Sequence, residues 1–264
     1  VNIAEGVTTI GACAFWGCSS LTSVTTPATI STIGFGAFCD CSGLQQVTIK
    51  AGFVGESAFI RCTALRTVTV GSGVTGFGIS AFENCPGLTG VYISDLAAWC
   101  RIDFGGYLSN PLYGAKRLYL NGVELTDLQI PDGVTAISDY AFGDALSITS
   151  VTVPASVQRI GDYAFYQCSN IRTVNLPTSG LNRIGASAFD SCTNLGQIAI
   201  PDSVSYVGNA AFAWTPIGRV NVKQGVIEGH AFEGCGCITD VALGSGVTFI
   251  GDSAFYRCAA LGTV

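Results

Sequence analysis

Apolar and polar residues alternate along this chain in short runs that return at a nearly fixed spacing. A representative unit reads Val24-Thr25-Thr26-Pro27, then Ile30-Ser31-Thr32-Ile33-Gly34, then Ala37-Phe38, Cys41 and Leu44. Alternation at a period of two predicts short strands with one buried face. Proline ends the first strand because it has no N–H to continue a ladder. The second run leads to glycine, where a tight corner is expected. Ala-Phe then falls in a compact turn, the small alanine admitting the neighbouring backbone and the phenylalanine filling the core.

Ala-Phe pairs end at Phe15, Phe38, Phe59, Phe82, Phe142, Phe165, Phe189, Phe212, Phe232 and Phe255, mostly 23 residues apart. A period in this range predicts a solenoid in which each coil packs only on its neighbours. The expected fold is a repeat β-solenoid of about eleven coils with short parallel strands and turns, interrupted by one helix–hairpin insert. Val24, Val47, Val68, Val91, Val151, Val174, Ile198, Val220 and Val241 form the strand's core column. Their neighbours, among them Thr25, Thr48, Thr69, Thr152 and Asn175, should give a polar, nearly uncharged sheet face. This is either a solvated face with β-favouring threonine or a ligand-contacting surface.

The repeat breaks from Tyr92 to Asp127, dividing the chain into repeats at 1–91, an insert at 92–127 and repeats at 128–264. Ser94-Asp95 should cap a short helix over Leu96–Cys100. Asn121-Gly122 between alternating residues is a strong hairpin signal. Trp99, Arg101, Phe104, Tyr107, Tyr113, Arg117 and Tyr119 gather in this insert. Aromatic and arginine side chains dominate interface hot spots, so with Tyr92 they are the candidate binding residues. The competing reading is that they form the insert's own small core. A second apolar patch is expected just after the phenylalanines, at Trp16, Ile60, Tyr166 and Tyr256. Residues 44–91 also align without a gap on 217–264, an offset of 173. Val1 and Val264 fall at one phase of the repeat, so the chain is expected to be an excerpt of a longer array.

A hydrophobic fraction of 48% with 11% charged residues suits a continuous core under small polar surfaces. No apolar run approaches the roughly 18 residues of a spanning helix, so no membrane insertion is expected in this segment. A net charge of −6 argues against nucleic acid as a partner. Of twelve cysteines, eight lie three residues after a repeat phenylalanine, at Cys18, Cys41, Cys62, Cys85, Cys168, Cys192, Cys235 and Cys258. A fixed repeat phase predicts inward free thiols acting as small apolar residues. Cys39-x-Cys41 and Cys235-x-Cys237 lack zinc-site spacing. His230 is the only histidine, and no nucleophile is placed beside it. Gly71-Ser72-Gly73-Val74-Thr75-Gly76 matches a dinucleotide pattern but lacks the βαβ context, and corner glycines account for it. Asp95 and Asp103 are isolated carboxylates. No catalytic, cofactor or metal site is expected.

The consensus Val-x-Ile-Pro-x-x-Val-x-x-Ile-Gly-x-x-Ala-Phe-x-x-Cys-x-x-Leu runs most cleanly from Val151-Thr152-Val153-Pro154 to Cys168, and it resembles the BspA-like leucine-rich-repeat family. The break, with Ser94-Asp95-Leu96-Ala97-Ala98-Trp99-Cys100 and Asn110-Pro111-Leu112-Tyr113, also looks like an element common in that family. Ala145 and Thr215 depart from it where the ladder cysteine belongs. The resemblance implies a leucine-rich-repeat solenoid, secreted or displayed on the surface of a bacterium or protozoan. It further implies adhesion to a protein or glycan on a host or neighbouring cell, with no catalytic residues to carry over. A structural spacer or self-associating stalk, joined through the solenoid ends, is the alternative.

Overall fold

A computed structural model describes residues 1–263. The chain is a parallel β-solenoid of about eleven turns with almost no helix. It divides into two compact units, Val1–Leu125 and Thr126–Val264. In the first, Thr9–Ile10 pairs with Thr32–Ile33, which pairs with Gln46–Val54. Gln46–Val54 pairs with Thr67–Phe77, and Thr67–Phe77 with Gly90–Ile93. In the second, Asp127–Gln129, Ser150–Thr152 and Thr173–Asn175 form one sheet, and a second sheet runs from Ala136–Ile137 to Asp240–Ile250. The expected strand column is buried throughout, including Ile198, although no ladder forms at that coil. The flanking polar residues are all at least partly exposed.

The phenylalanines stack face to face. Phe15, Phe38, Phe59 and Phe82 follow one another with centroids 4.9, 5.1 and 5.3 Å apart. Phe142, Phe165, Phe189, Phe212, Phe232 and Phe255 continue the pattern in the second unit. Each preceding alanine carbonyl accepts from the phenylalanine N–H of the coil before it, as in Phe15 to Ala37 at 2.7 Å and Phe165 to Ala188 at 2.8 Å. The residues two before and two after every repeat phenylalanine have positive φ, and most are not glycine. Tyr163 and Gln167, at 57° and 56°, bracket Phe165. Their N–H groups also donate to the next coil, at Ala186 and Asp190.

The corner glycine has a different reason from the one its sequence position suggested. Gly34 is not in the left-handed region, but a Cβ there would lie 2.6 Å from the Ala12 backbone nitrogen of the preceding coil. The same holds at Gly78, 2.5 Å from the Glu56 nitrogen, and Gly208, 2.5 Å from the Ala186 nitrogen. Coils stack too closely here for any side chain. Gly71, Gly73 and Gly76 likewise sit inside the strand Thr67–Phe77 rather than at a corner, and a Cβ on Gly71 would lie 2.4 Å from the Lys50 carbonyl oxygen.

All twelve cysteines are free. The ladder thiols do more than fill space: each donates to the phenylalanine carbonyl of the preceding coil, from Cys41 to Phe15 at 3.1 Å through Cys258 to Phe232 at 3.2 Å. Thr215 keeps that place polar, its hydroxyl donating to the Phe212 carbonyl at 2.6 Å. Burial pushes the Cys85 thiol up to about 12 and Cys41 and Cys235 up to about 11, so these groups stay protonated.

The insert folds as an enlarged coil. Asp95 caps the helix Leu96–Trp99, its carboxylate accepting from the Ala98 N–H at 2.9 Å. Asp103–Phe104 then pairs in parallel with Gly76–Phe77, and Leu118–Leu120 with Gly90–Ile93, so Leu118 extends the column of Val91. Val123–Glu124 returns antiparallel to it through Asn121-Gly122, both with positive φ as the sequence predicts. The internal offset is also structural. Gln46–Val54 and Thr67–Phe77 recur as Arg219–Ile227 and Asp240–Ile250, with register shifts at equivalent places. Val264, which closes that alignment, lies outside the described residues.

Candidate functional site

Register decides which candidates meet. Thr25, Thr48, Thr69, Tyr92 and Tyr119 fall in one row across the first unit's sheet, each opposite the next. Tyr92 and Tyr119 stack with centroids 4.6 Å apart and planes at 12°. Gly90 makes room for them, since a Cβ there would lie 3.1 Å from the Tyr92 ring and 3.0 Å from the Tyr119 ring. Arg117 stands beside the pair, 3.7 Å from the Glu124 carboxylate. A hydrogen bond with Tyr119 and then the Glu124 charge raise its pKa, so it stays cationic. A shallow hollow of about 410 Å³ is lined by Tyr92, Arg117 and Tyr119 with Leu88, Thr89 and Ala115. Thr152 and Asn175 face each other in the second unit, Asn175 donating to the Thr152 hydroxyl at 3.4 Å. They belong to another sheet and do not join the first row.

Two insert candidates are corrected. Trp99 is 1% exposed and Phe104 4%, so neither can touch a ligand. Trp99 meets Phe104 edge-on at 5.3 Å, and Phe104 stacks on Phe77 at 5.7 Å. They fill the enlarged coil, because Asp103–Phe104 holds the strand position beside Phe77. Arg101 is exposed but lines a separate hollow with Ser72, Gly73, Val74, Thr75 and Ala98. Tyr107 and Tyr113 meet edge-on at 4.8 Å, and Tyr113 is exposed at 37%.

Tyr113 leads to a cleft that the sequence reading did not find. Its floor uses two side-chain columns from three successive coils. Asp40, Arg61 and Asn84 each lie two residues after a phenylalanine, and Ser42, Thr63 and Pro86 four after. Phe82 and Cys85 close the bottom, while Tyr113 and Gly114 from the helix Leu112–Ala115 form the wall. The volume is about 540 Å³. Asp40, Arg61 and Asn84 are in the left-handed region at 58°, 60° and 57°. The Asp40 and Arg61 N–H groups are bound to the next coil, at Ile60 and Glu83.

Asp40 and Arg61 form a bidentate pair, with Nε to Oδ1 and Nη2 to Oδ2 both at 2.7 Å. Hydrogen bonding to Arg61 holds the Asp40 carboxyl below its usual range. The Lys116 ammonium lies 5.1 Å from the Tyr113 centroid. The detectable signal was the run of large polar residues in one repeat column, Asp40, Arg61 and Asn84, leading up to the break.

Other candidate chemistry is spent on structure. Asp95 caps a helix, and His230 Nδ1 meets Glu233 at 2.7 Å. Among the described residues, no group of three or more His, Cys, Asp or Glu could hold a metal ion. Among them too, no helix is long and apolar enough to cross a membrane. Trp16 and Tyr256, from the second apolar patch, are about half exposed, while Ile60 and Tyr166 are partly covered.

A family model described as BspA type leucine rich repeat region matches in six copies, over residues 1–99, 115–235 and 223–264. The chain is similar to a solved leucine-rich repeat protein from Bacteroides ovatus, with a TM-score of 0.60 and 24% identity over 98% of this chain and 70% of that one. It is similar to the pneumococcal vaccine antigen PcpA, with a TM-score of 0.56 and 16% identity over 96% of this chain and 68% of that one. A leucine-rich repeat protein from Eubacterium ventriosum gives a TM-score of 0.50 and 19% identity over 97% of this chain and 82% of that one. At these identities the likeness is one of fold. No curated protein matches the sequence.

Proposed function

Because the chain belongs to the BspA-type leucine-rich-repeat family, whose members are generally surface proteins, we propose that it is an extracellular recognition module. It binds a protein or glycan on a host or neighbouring cell through the surface around residues 92–119. Repeat proteins of this kind are typically non-catalytic. The observation that carries the reading is the insert. There the array departs from its repeat and presents Tyr92, Tyr113, Tyr119 and Arg117 in or beside hollows, rather than in the core. Exposed tyrosine and arginine at a concave surface are the usual material of binding hot spots.

The test is a surface-binding titration of the purified chain against matrix proteins, mucins and cells. Tyr113→Ala and Tyr119→Ala are run beside Thr152→Ala and Asn175→Ala, each checked for an unchanged melting temperature. Saturable binding weakened about 30-fold by either tyrosine change and little by the distant ones is expected, as for a hot spot of ~2 kcal/mol. Equal losses at all four positions would move the site away from the insert. No binding, with defined oligomers in solution, would favour the spacer.

A further inference from the structure

We propose that the cleft walled by Tyr113 is a carbohydrate subsite that takes the neutral terminal rings of a glycan. The assignment rests on the recognition reading above and names the ligand class for one part of that surface.

Charge narrows the ligand first. The only ionised groups lining the cleft, Asp40 and Arg61, are already paired bidentately at 2.7 Å. An anion would have to compete with Asp40 for the guanidinium, and a cation with Arg61 for the carboxylate. The chain's net charge of −6 gives an anion no long-range attraction either. A neutral ligand disturbs nothing. The pair still offers acceptor lone pairs on Asp40 and unused N–H donors on Arg61, held at fixed positions. Asn84, Ser42 and Thr63 each add a group that both donates and accepts. A sugar carries such two-way hydroxyls around its whole edge.

Shape and backbone chemistry agree. Three coils at the strand spacing of about 4.8 Å set Asp40 and Asn84 roughly 10 Å apart, the span of two pyranose rings. Phe82, Pro86 and Tyr113 give apolar surface for the C–H face of a ring. A peptide is disfavoured, because the usual modes need a free strand edge or a helix-sized apolar groove. Here the Asp40 and Arg61 N–H groups already serve the neighbouring coil, so side chains must read the ligand. The thiol at the bottom is no reactive group: Cys85 donates to the Phe59 carbonyl at 3.1 Å, and burial pushes it up to about 12.

The experiment is calorimetric titration of the full chain with N-acetyllactosamine, lacto-N-biose and cellobiose, with 3′-sialyllactose as the anionic probe. At least one neutral disaccharide should bind with a Kd on the order of 0.1–1 mM, typical of a small polar ligand in an open site. Tyr113→Ala, Arg61→Gln and Asn84→Ala should each weaken it about tenfold, while Tyr119→Ala leaves it unchanged. Asn84 is exposed and uncharged, so its change keeps the test sound if Arg61→Gln disturbs folding. No neutral disaccharide bound at about 10 mM, a clear preference for the sialylated probe, or binding indifferent to all three cleft changes would overturn the assignment. If the chain still binds cells saturably while ignoring free sugar, the sugar assignment fails and the recognition reading stands. If it binds neither, both fail.

Discussion

At the scale of the residue, this fold depends on how closely one coil approaches the next. The Ala-Phe turn places a left-handed residue on either side of each phenylalanine, at an intrinsic cost of about 1–2 kcal/mol for a residue with a Cβ. That conformation turns alternate N–H groups toward the neighbouring coil, where they meet carbonyls at 2.7–2.9 Å, as Tyr163 and Gln167 do. Leaving such donors unpaired in a buried turn would cost as much or more. Glycine is needed for another reason, and the array contains its own control. Gly11 and Gly34 occupy the same repeat position, yet a Cβ on Gly11 meets nothing within 4 Å, while one on Gly34 meets the Ala12 nitrogen at 2.6 Å. Gly34→Ala should therefore cost about 2–4 kcal/mol in urea unfolding, a backbone clash that no rotamer relieves, and Gly11→Ala less than about 1. Equal effects would mean that the corner, rather than the stacking, selects glycine.

At the scale of the element, what was legible in the sequence is what is local. The cap at Asp95, the turn at Asn121-Gly122 and the inward strand column follow from neighbours a few residues apart. The cap can be tested: Asp95→Ala should lower stability by about 1 kcal/mol and Asp95→Ser by a few tenths, read from thermal melts, because serine can accept from the same N–H. A four-residue helix has little stability of its own, so an unchanged melt would mean that Trp99 packing alone holds it. Less legible was which insert aromatics face inward. Composition gathers Trp99, Phe104 and Tyr113 equally, but Asp103–Phe104 is recruited as a strand beside Gly76–Phe77, a pairing across 27 residues that buries Phe104 and, against it, Trp99. The cleft was hidden for the same reason. Asp40, Arg61 and Asn84 are 21 and 23 residues apart, and only stacking makes them neighbours. Positive φ at Tyr163 or Arg257 carries no sequence mark, because the neighbouring coil rather than the residue type enforces it.

At the scale of the whole molecule, a repeat array has near-neighbour energetics: each coil is stabilised by the interfaces on its two sides. The phenylalanine stack makes that additivity measurable. Phe189 is fully buried, with Phe165 at 5.2 Å on one side and Phe212 at 5.4 Å on the other. Phe255 is only partly buried and stacks on Phe232 at 5.2 Å. Removing the Phe189 ring leaves a cavity bounded by two rings and by the Cys192 thiol, whose hydrogen bond to the Phe165 carbonyl lies at that interface. Phe189→Ala should thus cost about 3–5 kcal/mol, and Phe255→Ala at most half as much, since its ring is partly in water already. Amide exchange should divide the two further. The Phe189 change should speed exchange at Phe165 and Phe212 together, because both rings lose a face, whereas the Phe255 change should act mainly on Phe232. Equal losses at the two positions, or exchange that rises uniformly across residues 126–263, would mean that this unit unfolds as one cooperative block rather than coil by coil.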